Sequence, residues 1–230
     1  MASVLITGSN RGIGLAFAQA YAADGWRVFA SARTPAAARE LSDLARQHPG
    51  RVTLHPLDVA DGGAIAALAR ELKGEPIDVL INNAGVYDPA PRFGRTDYDA
   101  WMQVFQVNAM AALRMAEAFV EHVARSERKV MAGVSSGMGS IADNGSGGYY
   151  AYRTSKSALQ MVMRSLAIDL APRAIIAVAL NPGWVKTDMG GAGGTLTPEE
   201  CARRLRTILD RLKPADSGKF WHYSGKEFPW

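Results

Sequence analysis

The chain contains one cysteine, Cys201, so no internal disulfide can form. That suits a reducing compartment, and a cytoplasmic location is the expectation. No apolar run approaches the roughly 20 residues that a membrane-spanning helix needs, so no membrane association is expected. The four histidines, His48, His55, His122 and His222, share no ligand-like spacing with one another or with Cys201, which predicts no metal site. Lys and Arg exceed Asp and Glu by 26 to 22, a net charge of +4. The basic residues are scattered rather than striped, so no nucleic-acid surface is expected. No Pro/Ser/Gly linker divides the chain into two domains. The first residues lack the basic segment of a signal peptide and read as a strand.

What remains is ordinary globular composition, 48% hydrophobic and 21% charged over 230 residues, enough for one sizeable core. Short apolar runs alternate with helical patterns throughout. Val4-Leu5-Ile6, the segments 26–31, 51–56, 77–81, 129–134 and 175–180, and a last strand at 218–223 read as strands. Helical spacing follows after 12, from Pro35 to about Gln47 with Thr34 as cap, around Ile65 to Leu72, over Tyr98–Arg125 and over Tyr149–Ala171. A further helix restarts at Thr197-Pro198-Glu199-Glu200, with a capping-box pattern. This alternation predicts an α/β fold, a single-domain Rossmann-type doubly wound parallel sheet over residues 1–230. A small substrate-binding segment is expected near 185–215. The glycine-rich segments 137–148 and 190–194 read as mobile or flexible loops bordering the site.

Between the first strand and the first helix lies Thr7-Gly8-Ser9-Asn10-Arg11-Gly12-Ile13-Gly14. Glycines permit a tight turn and close backbone approach there, and a helix N-terminus offers free N–H groups to phosphate. The second strand ends without Asp or Glu, the residues that hold a ribose 2′-hydroxyl; Arg33 stands there instead. Arg33 and Arg11 together favour NADP over NAD, while each alone also reads as a solvated surface residue. Asp58 is compatible with accepting from an adenine amino group or with a turn. Asn82-Asn83-Ala84-Gly85 ends the fourth strand, where amides tie strand ends together and small residues leave room for a cofactor. Asn108 lies inside an apolar helix and needs a partner; it suits a local carbonyl or an ordered water near a site.

Tyr152 and Lys156 stand four residues apart on one predicted helix face. An ammonium beside a phenol favours phenolate, which predicts a lowered tyrosine pKa. The same spacing also occurs as a plain surface pair. Ser135-Ser136 closes the fifth strand, at the sheet edge where open α/β sheets bind ligands.

Thr7-Gly8-x-x-x-Gly12-Ile13-Gly14, Asn82-Asn83-Ala84-Gly85, Asn108, Ser136, Tyr152-x-x-x-Lys156 and Asn181-Pro182-Gly183 occur in one order over nearly the whole chain. This set resembles the short-chain dehydrogenase/reductase family. Gly-Trp-Val-Lys-Thr-Asp-Met-Gly-Gly and the ending Gly-Lys-Glu-Phe-Pro-Trp look like its carbonyl-reductase-like branch, that of sniffer and the C-factor signalling protein. The resemblance implies Tyr152 as the acid that protonates a carbonyl oxygen during hydride delivery from NADPH. Lys156 is then expected to lower the Tyr152 pKa and bind the nicotinamide ribose, Ser136 to polarise the carbonyl, and Asn108 to hold a relay water. Ser135 competes with Ser136, and the family pattern favours the second. The cofactor set implied is Gly8, Asn10, Arg11, Gly12, Ile13, Gly14, Arg33, Asp58, Val59, Asn83, Ala84, Gly85, Tyr152, Lys156, Pro182, Gly183, Val185 and Thr187. The segment from Ser136 to Tyr152 is longer than in many members. The expected partner is a small-molecule carbonyl (aldehyde, ketone or quinone), and the expected assembly is a homodimer or homotetramer through the helices at 98–125 and 149–171. Two other functions fit the same residues: an NADP(H)-binding sensor with little turnover, and an NAD-dependent alcohol dehydrogenase.

Overall fold

The structure, a computed structural model, describes residues 1–87 and 93–230. Seven strands form one parallel sheet in the order β3-β2-β1-β4-β5-β6-β7. They are β1 (Ser3–Ile6), β2 (Arg27–Ala32), β3 (Val52–Pro56), β4 (Val79–Asn82), β5 (Val130–Val134), β6 (Ile176–Asn181) and β7 (Phe220–His222). The strands are apolar on both faces, as a sheet covered on both sides requires. Val4 and Ile6 point to one core and Leu5 to the other. Register is fixed by this alternation, with Leu5 beside Phe29 and Leu80 in the neighbouring strands.

Helices α1 (Gly12–Ala23), α2 (Arg39–Gln47) and α7 (Pro198–Arg211) cover the first face. On the second lie α3 (Gly62–Glu71), α5 (Ala111–Ala124) and α6 (Tyr150–Asp169), with α4 (Tyr98–Phe105) against α6. The strand order reverses between β1 and β4, and the carboxyl ends of these strands open the crevice where such sheets bind ligands.

Several elements depart from the sequence expectations. The segment 98–125 is one helical run, but a π-turn at Gln106–Met110 interrupts its α-helical bonding around Asn108. Thr34 accepts no capping hydrogen bond; Pro35–Ala37 forms a separate 3₁₀ turn and α2 starts only at Arg39. Thr197 does cap α7 through Glu200 N–H, but the Glu200 carboxylate turns to Arg204 one turn on, so the reciprocal half of the capping box is absent. The loop at 137–148 is anchored rather than free: Ala142 N–H and Ser140 Oγ both donate to the Trp230 carbonyl. Glycines of 190–194 serve close packing. The Trp184 indole donates to the Gly190 carbonyl at 2.7 Å, and a Cβ on Gly193 would lie 2.9 Å from its ring. No described helix is long and apolar enough to cross a membrane.

His122 is buried at the α3–α5 contact against Phe119, and neither ring nitrogen makes a hydrogen bond. The carbonyls of Ala69 and Leu72 and the charges of Glu121 and Arg125 surround it. Burial lowers its pKa below the ordinary value. The unfolded chain therefore takes up a proton first as pH falls, and stability is lost below the ordinary histidine pKa of about 6.5. Urea melts at pH 7 and pH 5 should show a smaller acid-induced loss in His122→Phe than in the wild type.

Candidate functional site

The glycine loop and the end of β4 are built as one unit. Gly8 and Gly12 take left-handed backbone angles, φ 69° and 56°, which favour glycine. A Cβ on Gly8 would lie 2.9 Å from Ala84 Cα, and one on Gly14 would strike the Gly8 carbonyl and the Asn83 amide. Asn83 Nδ2 donates to the Thr7 and Gly8 carbonyls at 3.0 and 3.1 Å. Thr7 Oγ1 accepts from the backbone N–H groups of Asn83 and Ala84, both at 3.0 Å. Thr7 heads the glycine motif, and its hydroxyl, given no role in the sequence expectations, is what ties the two strand ends. Asn82 Nδ2 finds no protein partner and borders a small cavity beside Thr7 and Asn108.

The N-terminus of α1 is left open. Arg11 precedes it in extended conformation without a side-chain cap, and its first turn carries no acidic residue. Asn10 and Arg11 are exposed, and Gly12 and Ile13 are half-buried. Arg33 is exposed at the end of β2 with no ion pair among the described residues. Arg11 is engaged elsewhere: its Nη1 meets Asp188 Oδ2 at 2.8 Å. Asp58 is exposed, and its Oδ1 accepts from Ala60 N–H at 2.9 Å, so its observed role is a turn; Val59 beside it is buried.

On the opposite rim, Gly183 adopts φ 74° after Pro182, where a side chain would run into the Tyr223 ring. Thr187 approaches the glycine loop, since a Cβ on Gly12 would lie 3.2 Å from its Cγ2. Its Oγ1 accepts from Gly190 N–H at 3.0 Å. The Val185 side chain is buried in the core on the α1 face. Of the expected 185–215 segment, only the part before α7 reaches this rim, because α7 packs on α1.

The candidate catalytic side chains converge where α5, α6 and β5 meet. Lys156 and Tyr152 are buried on one face of α6. Lys156 Nζ donates to the Val134 carbonyl at 2.9 Å and lies 5.7 Å from the Tyr152 ring centroid. Gly85 closes the group: a Cβ there would lie 3.3 Å from Asn108 Oδ1 and 3.4 Å from Lys156 Nζ. Ser136 stands beside the Tyr152 phenol and acts to lower its pKa. Ser135 is used internally. Its hydroxyl donates to the Lys156 carbonyl and accepts from Gln160 Nε2, which also donates to the Ser136 carbonyl. The two serines thus differ: Ser135 is committed to the scaffold, while Ser136 Oγ accepts from Met138 N–H and stands beside the phenol.

The electrostatics reverse one expectation. Burial pushes the Tyr152 phenol up to about 12, Ser136 opposes this, and Tyr87 adds to it. Burial alone brings Lys156 down to about 8. Lys156 does not pull the phenol down as its spacing suggested, because desolvation dominates and the ammonium is turned onto the Val134 carbonyl. Asn108 bonds to chain rather than standing free. Its Oδ1 accepts from Val86 N–H at 2.8 Å, and its Nδ2 donates to the Val86 carbonyl at 2.9 Å and Ser155 Oγ at 3.0 Å. Ser155, Gln160 and Tyr87 escaped the sequence reading. Ser155 and Gln160 lie three and eight positions after Tyr152 on a helix, and their buried polar character was the available signal.

A profile of short chain dehydrogenases matches residues 2–194. The C-signal protein of Myxococcus xanthus is 43% identical over 164 residues, 71% of this chain and 99% of that protein. Carbonyl reductase Sniffer of D. melanogaster superimposes with a TM-score of 0.95 at 33% identity, covering 100% of both chains. The NADPH-bound carbonyl reductase from chicken fatty liver gives a TM-score of 0.93 at 36% identity, covering 100% of this chain and 99% of that one. With its seven-stranded parallel sheet, glycine loop and matched profile, the chain belongs to the short-chain dehydrogenase family.

Proposed function

We propose that the protein is an NADPH-dependent reductase of a small-molecule carbonyl, with Tyr152 as the proton donor. The observation that carries this reading is the buried Tyr152 phenol, with Ser136 beside it and Lys156 on the same helix face. A general acid must hold its proton at working pH and deliver it where charge develops. A phenol held near 12 is protonated throughout the neutral range. Negative charge building on a carbonyl oxygen would be met by Tyr152, which donates the proton, and by Ser136, which supplies a second hydrogen bond. Lys156 and Asn108 hold the floor of the site through Val134, Val86 and Ser155.

The residues present suit a phosphorylated dinucleotide. The uncapped start of α1 suits its pyrophosphate, and the small Ala84 and Gly85 leave room beside the loop. The exposed guanidinium of Arg33, where β2 offers no carboxylate, suits a 2′-phosphate. Bound there, the reduced nicotinamide supplies the hydride. Lys156 and Thr187 are the residues proposed to hold its nicotinamide end, and the 184–196 segment is proposed to cover the substrate. Tyr98, Met102, Met161 and Ile168, all exposed on α4 and α6, support pairing of two chains through these helices.

Three measurements test this. A panel of aldehydes, ketones and quinones should drain NADPH absorbance, and Tyr152→Phe should lose at least about a hundredfold in kcat while still binding NADPH. Unchanged turnover in that variant would overturn the acid assignment. Arg33→Ala should weaken NADPH by about tenfold, the worth of a charge-assisted hydrogen bond, and leave NADH affinity unaltered. Asp188→Asn should tighten NADPH by about two- to fivefold, because the exposed pair it breaks is worth up to ~1 kcal/mol and Arg11 is then free for phosphate.

A further inference from the structure

Tyr149 breaks a rule that the rest of the site obeys. It stands immediately before α6 with φ 50° and ψ 43°, the left-handed region. Two glycines precede it in the same region, Gly147 at φ 62° and Gly148 at φ 66°. Left-handed backbone crowds the Cβ of an L-residue, so glycine is its ordinary occupant. Lys129 and Ala174 are the other non-glycine residues with positive φ among the described chain, and each ends a turn ahead of a strand, away from the site. A tyrosine in the third place of a left-handed run, three residues before Tyr152, asks what its side chain does there.

The ring answers. Tyr149 packs on Tyr87 with centroids 6.0 Å apart and planes at 31°. Tyr87 in turn stands edge-on to Tyr152, at 4.9 Å and 73°. Edge-to-face packing at this range is favourable and fixes ring orientation. Tyr87 leaves β4 just after Val86, the residue gripped by both ends of the Asn108 amide. The three rings therefore form a row that starts at the strained turn, crosses the exit of β4 and ends on the proton donor.

We propose that Tyr149 and Tyr87 are positioning residues of the reduction: the strained turn holds Tyr149 against Tyr87, and Tyr87 holds the Tyr152 ring against Ser136 and keeps water from its open side. This inference rests on the reading of Tyr152 as the acid. The groups that face the phenol are Ser136, Tyr87 and, across the ring, Lys156. Burial is the main influence holding the phenol high, and Tyr87 acts in the same direction. Loosening the row admits water and brings the phenol down towards an ordinary tyrosine.

The test compares Tyr149→Gly, Tyr149→Phe, Tyr87→Leu and Tyr152→Phe with the full-length wild type in NADPH-dependent carbonyl reduction. Tyr149→Gly suits the left-handed backbone and removes only the ring. Its melting temperature should stay near wild type while kcat falls about tenfold or more, the scale of a misplaced catalytic group. Its NADPH Kd should not move, and the alkaline limb of its kcat profile should shift to lower pH. Tyr87→Leu should show the same loss and the same shift. Tyr149→Phe keeps the ring and should behave as wild type. If glycine lowers the melting temperature, Tyr149→Asn takes its place, since asparagine tolerates this backbone. Wild-type kcat and an unshifted alkaline limb in Tyr149→Gly or Tyr149→Asn would overturn the proposal, as would a loss in Tyr149→Phe equal to that in Tyr149→Gly. Full turnover in Tyr152→Phe would instead remove the acid assignment beneath it. An inactive Tyr152→Phe beside unaffected Tyr149 and Tyr87 variants would sink the aromatic row alone.

Discussion

Asn108 grips Val86 through both ends of its amide and spends its remaining donor on Ser155. Three elements meet on that one side chain: the exit of β4, the π-turn and α6. A planar amide bonded on both edges can neither rotate nor slide, so the chain leaving β4 is fixed relative to the helix that carries Tyr152 and Lys156. The π-turn is what delivers it. Had 98–124 run as unbroken α-helix, residue 108 would face a different direction, and π-turns recur at functional sites for this reason. Ser155 passes the constraint on, because its hydroxyl also donates to the Tyr152 carbonyl at 2.7 Å. Gly85 completes the packing, since a side chain there would press on both the amide and the ammonium.

The price of a rigid, dry site is electrostatic. Burying a phenol disfavours phenolate, and burying an ammonium disfavours its charge. Both effects appear, with Tyr152 near 12 and Lys156 near 8. The two shifts draw the groups' proton affinities in opposite directions, the phenol holding its proton and the amine releasing its own more readily. That separation suits a donor that must not ionise before charge develops on the substrate. It also explains why spacing alone misjudged the pair. Four residues along a helix brings the side chains to one face, but it says nothing of water, and desolvation outweighs the field of a neighbour whose ammonium is bonded to Val134.

The sheet and the glycine-loop half of the crevice were legible in the sequence because their signals are local. Apolar runs marked each strand, and Gly8, Gly12 and Gly14 marked a turn whose packing demands can be read in eight residues. Arg33 stands exposed at the end of β2, where the sequence lacks a carboxylate. The other half was less legible. Thr7, Ser155 and Gln160 act through partners dozens of residues away, and no spacing announces them. Ser135 and Ser136 could not be told apart by position; only Gln160 and the Lys156 carbonyl, both on α6, separate them. The glycines of 190–194 looked like flexibility, whereas Gly193 and Gly194 are small because Trp184 and the backbone at 185–186 lie against them. Arg11 looked free, and its partner Asp188 is 177 residues on.

A left-handed tyrosine costs roughly 1–2 kcal/mol that glycine would not, and Gly148 beside it shows that the chain uses glycine in this turn. The cost is small against the stability of a domain but large against an exposed loop residue's usual contribution. The compensation lies in the ring, which packs on Tyr87 at 6.0 Å and 31°; an aromatic contact contributes about 0.5–1.5 kcal/mol beyond its buried area. The two terms nearly offset, so stability alone gives no reason to hold tyrosine at 149. What differs between the two residues is the ring that backs Tyr87, whose other contact is Tyr152. The strained turn, the amide clamp and the desolvated phenol then act on one outcome, a buried Tyr152 phenol fixed in place.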